Sequence, residues 1–186
     1  MTSTSASHPP HSVIDLLLAD HEQVERLFEQ MIDGEVDLWP QRFCELRERL
    51  VQHEAAEEVV VYPALRQVDP AGGSIADSRL REQAAAEKML EEMEGMDEGD
   101  PAFAEALPAL QAAVLEHAEA EEEQVFPRLE RFVDPGVLLE MGEKYQAAKS
   151  SAPTHPHPHI PNTPPVNRLL APVAAVADRM RDAISR

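Results

Sequence analysis

Two stretches of the chain share a spacing of histidine and glutamate that suits a metal site. Residues 53–66 read HEAAEEVVVYPALR, and residues 117–130 read HAEAEEEQVFPRLE. Each copy places a glutamate four residues after its histidine, as His53 and Glu57 and as His117 and Glu121, and an aromatic-proline pair five residues after the glutamate. Because residues four apart share one face of an α-helix, each copy presents an imidazole beside a carboxylate. This is how a helix offers a metal ion two ligands.

A third histidine, His21, lies within an apolar stripe at helical spacing near the start of the chain. A single histidine on an apolar face is usually a core residue with satisfied hydrogen bonds. Here three occur, and two of them share the inner stripe with a glutamate. Ionised carboxylates are rarely buried without a partner, and no lysine or arginine falls on the predicted inner stripes. The spacing therefore predicts a metal site, for which iron, manganese or zinc is suited.

The hydrophobic spacing predicts four helices joined by short connections, which is typical of an all-α, up-down-up-down four-helix bundle. The first helix begins at Ser12 with Asp15 as its capping partner, and Asp33-Gly34 ends it. The second begins at Asp37, and Pro63 should bend or end it. The third covers about residues 75–96, and the fourth begins at Pro101.

Composition changes divide the chain into five segments. Residues 1–11 are a disordered lead, 12–132 are the bundle, and 133–150 are a short helical extension. Residues 151–165, SAPTHPHPHIPNTPP, are predicted to be an extended Pro/His-rich linker. Residues 166–186 are predicted to form a weakly amphipathic C-terminal helix. This helix has three open arrangements: docked on the bundle, paired with a second subunit in a homo-oligomer, or loose.

Charge and cysteine content exclude several classes of protein. The chain has 35 acidic and 16 basic residues and a net charge of -19, so its surface repels nucleic acid and anionic membranes. One cysteine, Cys44, rules out an intrachain disulfide and indicates a reducing compartment. We see no secretory signal and no apolar run of about 18 residues. These features predict a cytoplasmic protein.

Some residues with metal-binding or nucleophilic side chains fit simpler interpretations. His155, His157 and His159 alternate with proline, which could chelate a metal loosely but favours a flexible linker. Cys44 is interpreted as a small core residue, because no histidine lies near it in sequence to activate it. There is no phosphate-binding loop, dinucleotide-binding glycine motif or serine nucleophile elbow.

Over about residues 12–132 the chain resembles the hemerythrin-like family, also called HHE cation-binding domains. The resemblance is carried by Asp20-His21 and by the two copies of the His-x-x-x-Glu motif, which continue into Tyr62-Pro63 and Phe126-Pro127. It implies a four-helix bundle that holds two irons bridged by oxygen. His21 and His53 would bind one iron and His117 the other. Glu57 and Glu121 would bridge the two metals.

The chain departs from the family at one position in the third helix. Where the family has a Glu-His pair, this chain has Glu82-Gln83, and Glu87 follows one turn later on the same face. Three outcomes stay open: Gln83 or Glu87 completes a more oxygen-rich second site, the second site is weak, or only one metal binds.

The family uses its centre to bind dioxygen, nitric oxide or peroxide, to sense oxygen or iron, or to scavenge and store them. The first hypothesis is therefore a non-haem, di-iron protein that binds, senses or scavenges such a ligand. One alternative is a metal-dependent oxidoreductase, acting in peroxide disproportionation or ferrous-iron oxidation, so enzymatic activity is an open question. Another is a degenerate bundle that has lost its metal and acts as an interaction module.

Overall fold

The computed structural model describes residues 11–157 and Asp178, and it shows an all-α helical bundle, as the sequence predicts. A 3-10 turn at Val36–Leu38 precedes the second helix, and a π-helical turn at Glu57–Val61 follows it. No β-strand occurs within the described ranges. The α-helices in chain order are α1 Val13–Ile32, α2 Trp39–Ala56, α3 Tyr62–Val68, α4 Gly72–Glu94, α5 Pro101–Gln124, α6 Phe126–Phe132 and α7 Pro135–Ser151.

The capping box predicted at the start of α1 is confirmed. The Asp15 backbone N–H donates to Ser12 Oγ at 3.2 Å, and the Ser12 backbone N–H donates to Asp15 Oδ2 at 3.0 Å. These two bonds satisfy backbone donors that no helical carbonyl can reach. The cap fixes where α1 begins, and so it fixes which face carries His21 toward the interior.

Proline interrupts both helices that carry the doubled motif. Pro63 has no N–H to donate, and the turn before it is widened, so that the Tyr62 N–H donates to the carbonyl of Glu57, five residues back. This hydrogen bond places Tyr62 over the same face as Glu57. In the second copy, α5 ends at Gln124 and α6 begins at Phe126, just before Pro127. The bend predicted at Pro63 is thus a π-helical turn next to a candidate ligand.

Two apolar clusters lie at either end of the bundle, and the polar motif residues fall between them along each long helix. One cluster contains Phe28, Phe43 and Phe103, and its edge is closed by Trp39, whose Nε1–H donates to the Met31 carbonyl at 2.7 Å. The other contains residues of α1, α3, α6 and α7. The motif residues are therefore held between two packed cores rather than at a free end.

The last described helix, α7, overlaps residues 133–150, the segment expected as a short helical extension, and it packs against both α1 and α2. Leu138, Met141 and Tyr145 are its buried side chains with the largest volume. Gly142 allows the close approach, because a Cβ at this position would lie 2.3 Å from the backbone oxygen of His11. α7 is therefore a fifth long helix of the bundle, beside α1, α2, α4 and α5.

Residues 152–156, at the start of the proposed linker, are buried rather than free. The backbone N–H groups of Thr154 and His155 donate to Asp178 Oδ2 at 3.0 and 3.1 Å. The rest of the proposed linker with His159, the lead at 1–10 and all of the proposed C-terminal helix except Asp178 lie outside the described residues. Across the part of the chain that is described, no helix is long and apolar enough to cross a membrane.

Two expectations about individual side chains were wrong. Cys44 is exposed rather than in the core. Arg79 of α4 is only 5% exposed, although no arginine was expected on an inner face. A guanidinium can be buried when a carboxylate accepts its protons, and Glu82 does so at 2.5 Å.

We predict that Gly142→Ala destabilises the fold by about 1–3 kcal/mol, because the added methyl group would collide with the backbone before α1. Gly95→Ala is the matched control, since its Cβ would meet the nearest atom at an ordinary 3.5 Å. Urea unfolding of both variants measures the effect. Equal midpoints would show that α7 does not pack tightly against the start of α1.

Candidate metal centre

One cluster of potential metal ligands lies in the middle of the bundle. His21 of α1, His53 of α2, Glu57 of the π-helical turn and Glu121 of α5 each offer one ligand atom, and these atoms all lie within 4.8 Å of one another. Both glutamates are fully buried. The structure therefore brings together four residues that the sequence singled out, from elements far apart in the chain.

The imidazoles face the carboxylates through their Nε2 atoms. His53 Nε2 lies 3.1 Å from Glu57 Oε1, and His21 Nε2 lies 3.4 Å from Glu121 Oε2. His117, one turn before Glu121, places its Nε2 3.7 Å from the same oxygen. All three histidines predicted as ligands thus point the same kind of atom toward the two glutamates.

The outer nitrogens of two histidines contact carboxylates behind the cluster. His21 Nδ1 lies 2.8 Å from Glu122 Oε1, and His117 Nδ1 lies 3.1 Å from Glu82 Oε2. When Nδ1–H donates to a carboxylate, the Nε2 lone pair is left facing inward and becomes more basic. This arrangement is typical of histidines that bind metals. It also gives Glu122 a specific partner.

His53 has a longer support chain that comes from α7. Its Nδ1–H donates to the Tyr145 hydroxyl at 2.7 Å, and that hydroxyl donates to Asp20 Oδ2 at 2.7 Å. Lys149 Nζ lies 2.6 Å from both oxygens of Asp20. Burial alone would raise the pKa of Asp20, but the contacts with His53 and Lys149 hold it well below its usual range. The sequence analysis missed Tyr145 and Lys149, because both lie in a segment that it treated as an extension.

The remaining oxygen of each buried glutamate is engaged by the protein itself. Gln83 Nε2 donates to Glu57 Oε2 at 2.6 Å and to the Tyr62 hydroxyl at 2.8 Å. Tyr62 in turn donates to Glu121 Oε1 at 2.8 Å. Gln83, which replaces the expected histidine, therefore contacts the cluster as a hydrogen-bond donor, to Glu57 and to the Tyr62 hydroxyl.

The other residues proposed as ligands do not join the cluster. Glu87 Oε1 accepts a hydrogen bond from the backbone N–H of His157 at 2.8 Å. His155 Nδ1 pairs with Glu94, and His157 Nε2 lies 3.1 Å from Asp178 Oδ2. These histidines thus attach the segment after α7 to α4.

The donor set fits a cation. His21 Nε2, His117 Nε2, Glu57 Oε1 and Glu121 Oε2 are buried and have no hydrogen-bond partner. Each is an atom that donates an electron pair, and buried polar atoms without partners are costly. Among the described residues, no lysine or arginine forms an ion pair with either glutamate. A metal ion at this point would satisfy all four atoms.

The pKa values show how the buried charges act on one another. Burial and the charge of Glu121 raise the pKa of Glu57. Burial would also raise the pKa of Glu121, but its contacts with His21 and His117 lower it. Burial would lower the pKa of His53, yet Glu57 and Asp20 raise it well above its usual value. The buried carboxylates and the imidazoles that face them therefore stabilise each other's charged forms, and a metal ion would compete with protons for the same atoms.

A cavity of about 330 Å³ reaches the imidazole side of the cluster. His21, His53 and His117 form part of its wall. Leu18, Val24, Leu50, Ala86, Val114, Leu115 and Ala118 supply most of the apolar lining. Five glutamates, Glu22, Glu25, Glu54, Glu119 and Glu122, complete the lining. A small uncharged molecule could therefore approach the ligand atoms through a space lined by apolar side chains and carboxylates.

A family model described as the Hemerythrin HHE cation binding domain matches residues 12–129 of the chain. The chain belongs to this family. It is 26% identical to an uncharacterised hemerythrin-like protein of Schizosaccharomyces pombe, over 94% of this chain and 87% of that protein. It is 24% identical to a protein named DNA nickase from Nostoc sp., over 75% of this chain and only 39% of that protein. No solved structure gives a significant match.

We predict that Tyr145→Phe weakens metal binding about 10- to 100-fold, because His53 loses its hydrogen-bond acceptor while the aromatic ring stays in place. Metal titration, with affinity measured by calorimetry, tests this. Lys144→Gln, an exposed change on the same helix, is the control and should bind as the unchanged protein does. Equal affinity in both variants would show that α7 does not support the metal ligand.

Proposed function

We propose that this hemerythrin-like protein is a non-haem iron protein that binds, senses or scavenges dioxygen, nitric oxide or peroxide. The observation that carries the proposal is the group of four ligand atoms within 4.8 Å of one another, in a bundle interior where both carboxylates are fully buried. Ionised groups buried in this way require a balancing charge.

The kind of donor supports iron, with manganese next and zinc last. The cluster combines imidazole nitrogens with carboxylate oxygens and contains no thiolate. Imidazole and carboxylate together suit iron and manganese, which accept more than four ligands, whereas zinc in proteins is usually tetrahedral. His117 Nε2 also faces Glu121 Oε2, at 3.7 Å, but it is not among the four ligand atoms that lie within 4.8 Å of one another.

The cavity supports a small ligand rather than a metabolite. Its wall combines seven apolar residues with five glutamates and ends at the three imidazoles, and its volume of about 330 Å³ would admit a diatomic molecule or peroxide to the metal. When bound, the iron would supply the coordination and redox chemistry. The chain holds the ligand atoms in place, excludes bulk water with two apolar clusters, and keeps protons on Tyr62 and Tyr145 beside the buried carboxylates.

The same cavity is the feature that favours an oxidoreductase as the second candidate function. An open approach to a metal is needed by enzymes, whereas structural metal sites are closed. Peroxide turnover or ferrous-iron oxidation by the iron-loaded protein would favour this alternative, and stable ligand binding without turnover would favour the first proposal.

Location and assembly belong to the same proposal. We propose a cytoplasmic location because the sequence has one cysteine, Cys44, and so cannot form an intrachain disulfide. Association through residues 166–186 stays a prediction. We do not extend the activity in the name of the DNA nickase to this chain, because the match spans 39% of that protein and the net charge of -19 repels nucleic acid.

We predict that His53→Ala and Glu121→Ala abolish stoichiometric iron binding, because each removes a ligand atom from the cluster. His157→Ala should retain it, since His157 lies outside the cluster. Metal content by plasma mass spectrometry measures this. Iron at 100 times its dissociation constant should also stabilise the unchanged protein by about 2.7 kcal/mol, and should leave the first two variants unaffected. Equal iron in all three variants would reject the assigned site.

We predict that Ala118→Phe slows or blocks binding of nitric oxide to the iron-loaded protein while the iron content stays the same. The larger side chain would fill the cavity without replacing a ligand atom. Ala112→Phe is the control, because Ala112 is exposed on the same helix and does not line the cavity. Stopped-flow absorption measures the binding rate. Unchanged rates for Ala118→Phe would mean that ligands reach the metal by another path.

A further inference from the structure

We propose that this centre holds one metal ion rather than two. Gln83 and Tyr62 donate hydrogen bonds to the carboxylate oxygens that a second metal would need as ligands. This inference rests on the proposed function, because it concerns the same cluster. It differs from the family resemblance, which implies two irons bridged by Glu57 and Glu121.

The first step concerns Glu57. A carboxylate that bridges two metals gives one oxygen to each metal. Glu57 Oε1 faces His53 and has no hydrogen-bond partner, so it is available to a metal. Glu57 Oε2, in contrast, accepts a hydrogen bond from Gln83 Nε2 at 2.6 Å. One oxygen of Glu57 is therefore directed at the metal, and the other is bound to the protein.

Glu121 is divided in the same way. Its Oε2 faces His21 and His117 and has no hydrogen-bond partner, whereas its Oε1 accepts from the Tyr62 hydroxyl at 2.8 Å. The protons form a consistent chain, because the two N–H groups of Gln83 point to Glu57 and to the oxygen of Tyr62. The single Tyr62 proton then goes to Glu121. Turning the Gln83 amide over would set its oxygen against Glu57 Oε2, which also accepts.

These donors cannot move aside easily. Gln83 is 0% exposed and Tyr62 is 1% exposed, and the ring of Tyr62 packs in the apolar cluster with Val61 and Leu65. The π-helical turn fixes Tyr62 relative to Glu57 through the backbone. Because both side chains are buried, rotating either donor away would leave buried polar atoms without partners, which costs free energy.

The third histidine faces the same carboxylate oxygen as the first. His117 Nε2 lies 3.7 Å from Glu121 Oε2, which is the oxygen that His21 Nε2 approaches at 3.4 Å. His117 is not among the four residues whose ligand atoms lie within 4.8 Å of one another. Those four atoms, from His21, His53, Glu57 and Glu121, would hold the one ion.

Other carboxylates near α4 are committed elsewhere. Glu82 is paired with Arg79 and with His117 Nδ1, and Glu87 Oε1 accepts from the backbone of His157. The two buried glutamates balance the charge of one divalent ion.

The first test is the number of metals in the unchanged, untagged full chain after loading with ferrous iron. The proposal expects one iron per chain by plasma mass spectrometry, and after oxidation an electron paramagnetic resonance signal of an isolated high-spin ferric ion. Two irons per chain with a coupled, silent pair would overturn the inference but leave the proposed function standing. No bound iron would overturn both.

The second test exchanges the donor for a ligand. Gln83→His removes the amide that holds Glu57 Oε2 and adds an imidazole, so iron content should rise from one to two per chain and the isolated ferric signal should fall. Gln83→Leu is the matched control, because it removes the shorter of the two hydrogen bonds to Glu57 Oε2, leaves the 3.4 Å contact with the Tyr62 hydroxyl and adds no ligand, so it should stay at one iron. If Gln83→His also stays at one, Gln83 is not the residue that excludes the second metal.

Discussion

The structure depends on two carboxylates that face a common point in the bundle interior with no exposure to water. Glu57 and Glu121 raise the cost of folding, since buried like charges repel and lose their hydration. Polar groups around the two oxygens of each glutamate offset that cost. Imidazoles face one oxygen of each glutamate, and protein hydroxyl and amide protons face the other.

This division makes the support of the histidines as important as the ligands themselves. Each imidazole has an acceptor behind it: Glu122 for His21, Glu82 for His117, and Tyr145 for His53. These acceptors lie on α5, α4 and α7, so the orientation of the site depends on the packing of all the long helices. A loss of packing far from the cluster would therefore be expressed as a change in metal affinity.

Sequence reasoning succeeds where the chemistry is local along a helix and fails where it depends on how helices meet. The i, i+4 pairs and the cap at Ser12 follow from helical geometry alone, and the structure contains them. The π-helical turn at Glu57–Val61 was predicted only as a bend. Pro63 shows that the helical hydrogen-bond pattern is interrupted, but it does not show which hydrogen bonds replace it. Tyr145 and Arg79 were missed, since periodicity identifies an inner face without showing which residue it meets.

Gln83 shows how one side chain can set the chemistry of a shared fold. An imidazole at this position would offer a metal an electron pair, whereas an amide N–H offers Glu57 a proton. A carboxylate oxygen that accepts this hydrogen bond has one lone pair fewer to offer a metal, and the fold around it need not change. The consequence for the proposed one-metal centre follows from electron counting. A single ferrous ion would supply one electron on oxidation to ferric iron, whereas a pair would supply two, so such a centre would favour ligand binding over two-electron reduction of dioxygen to peroxide.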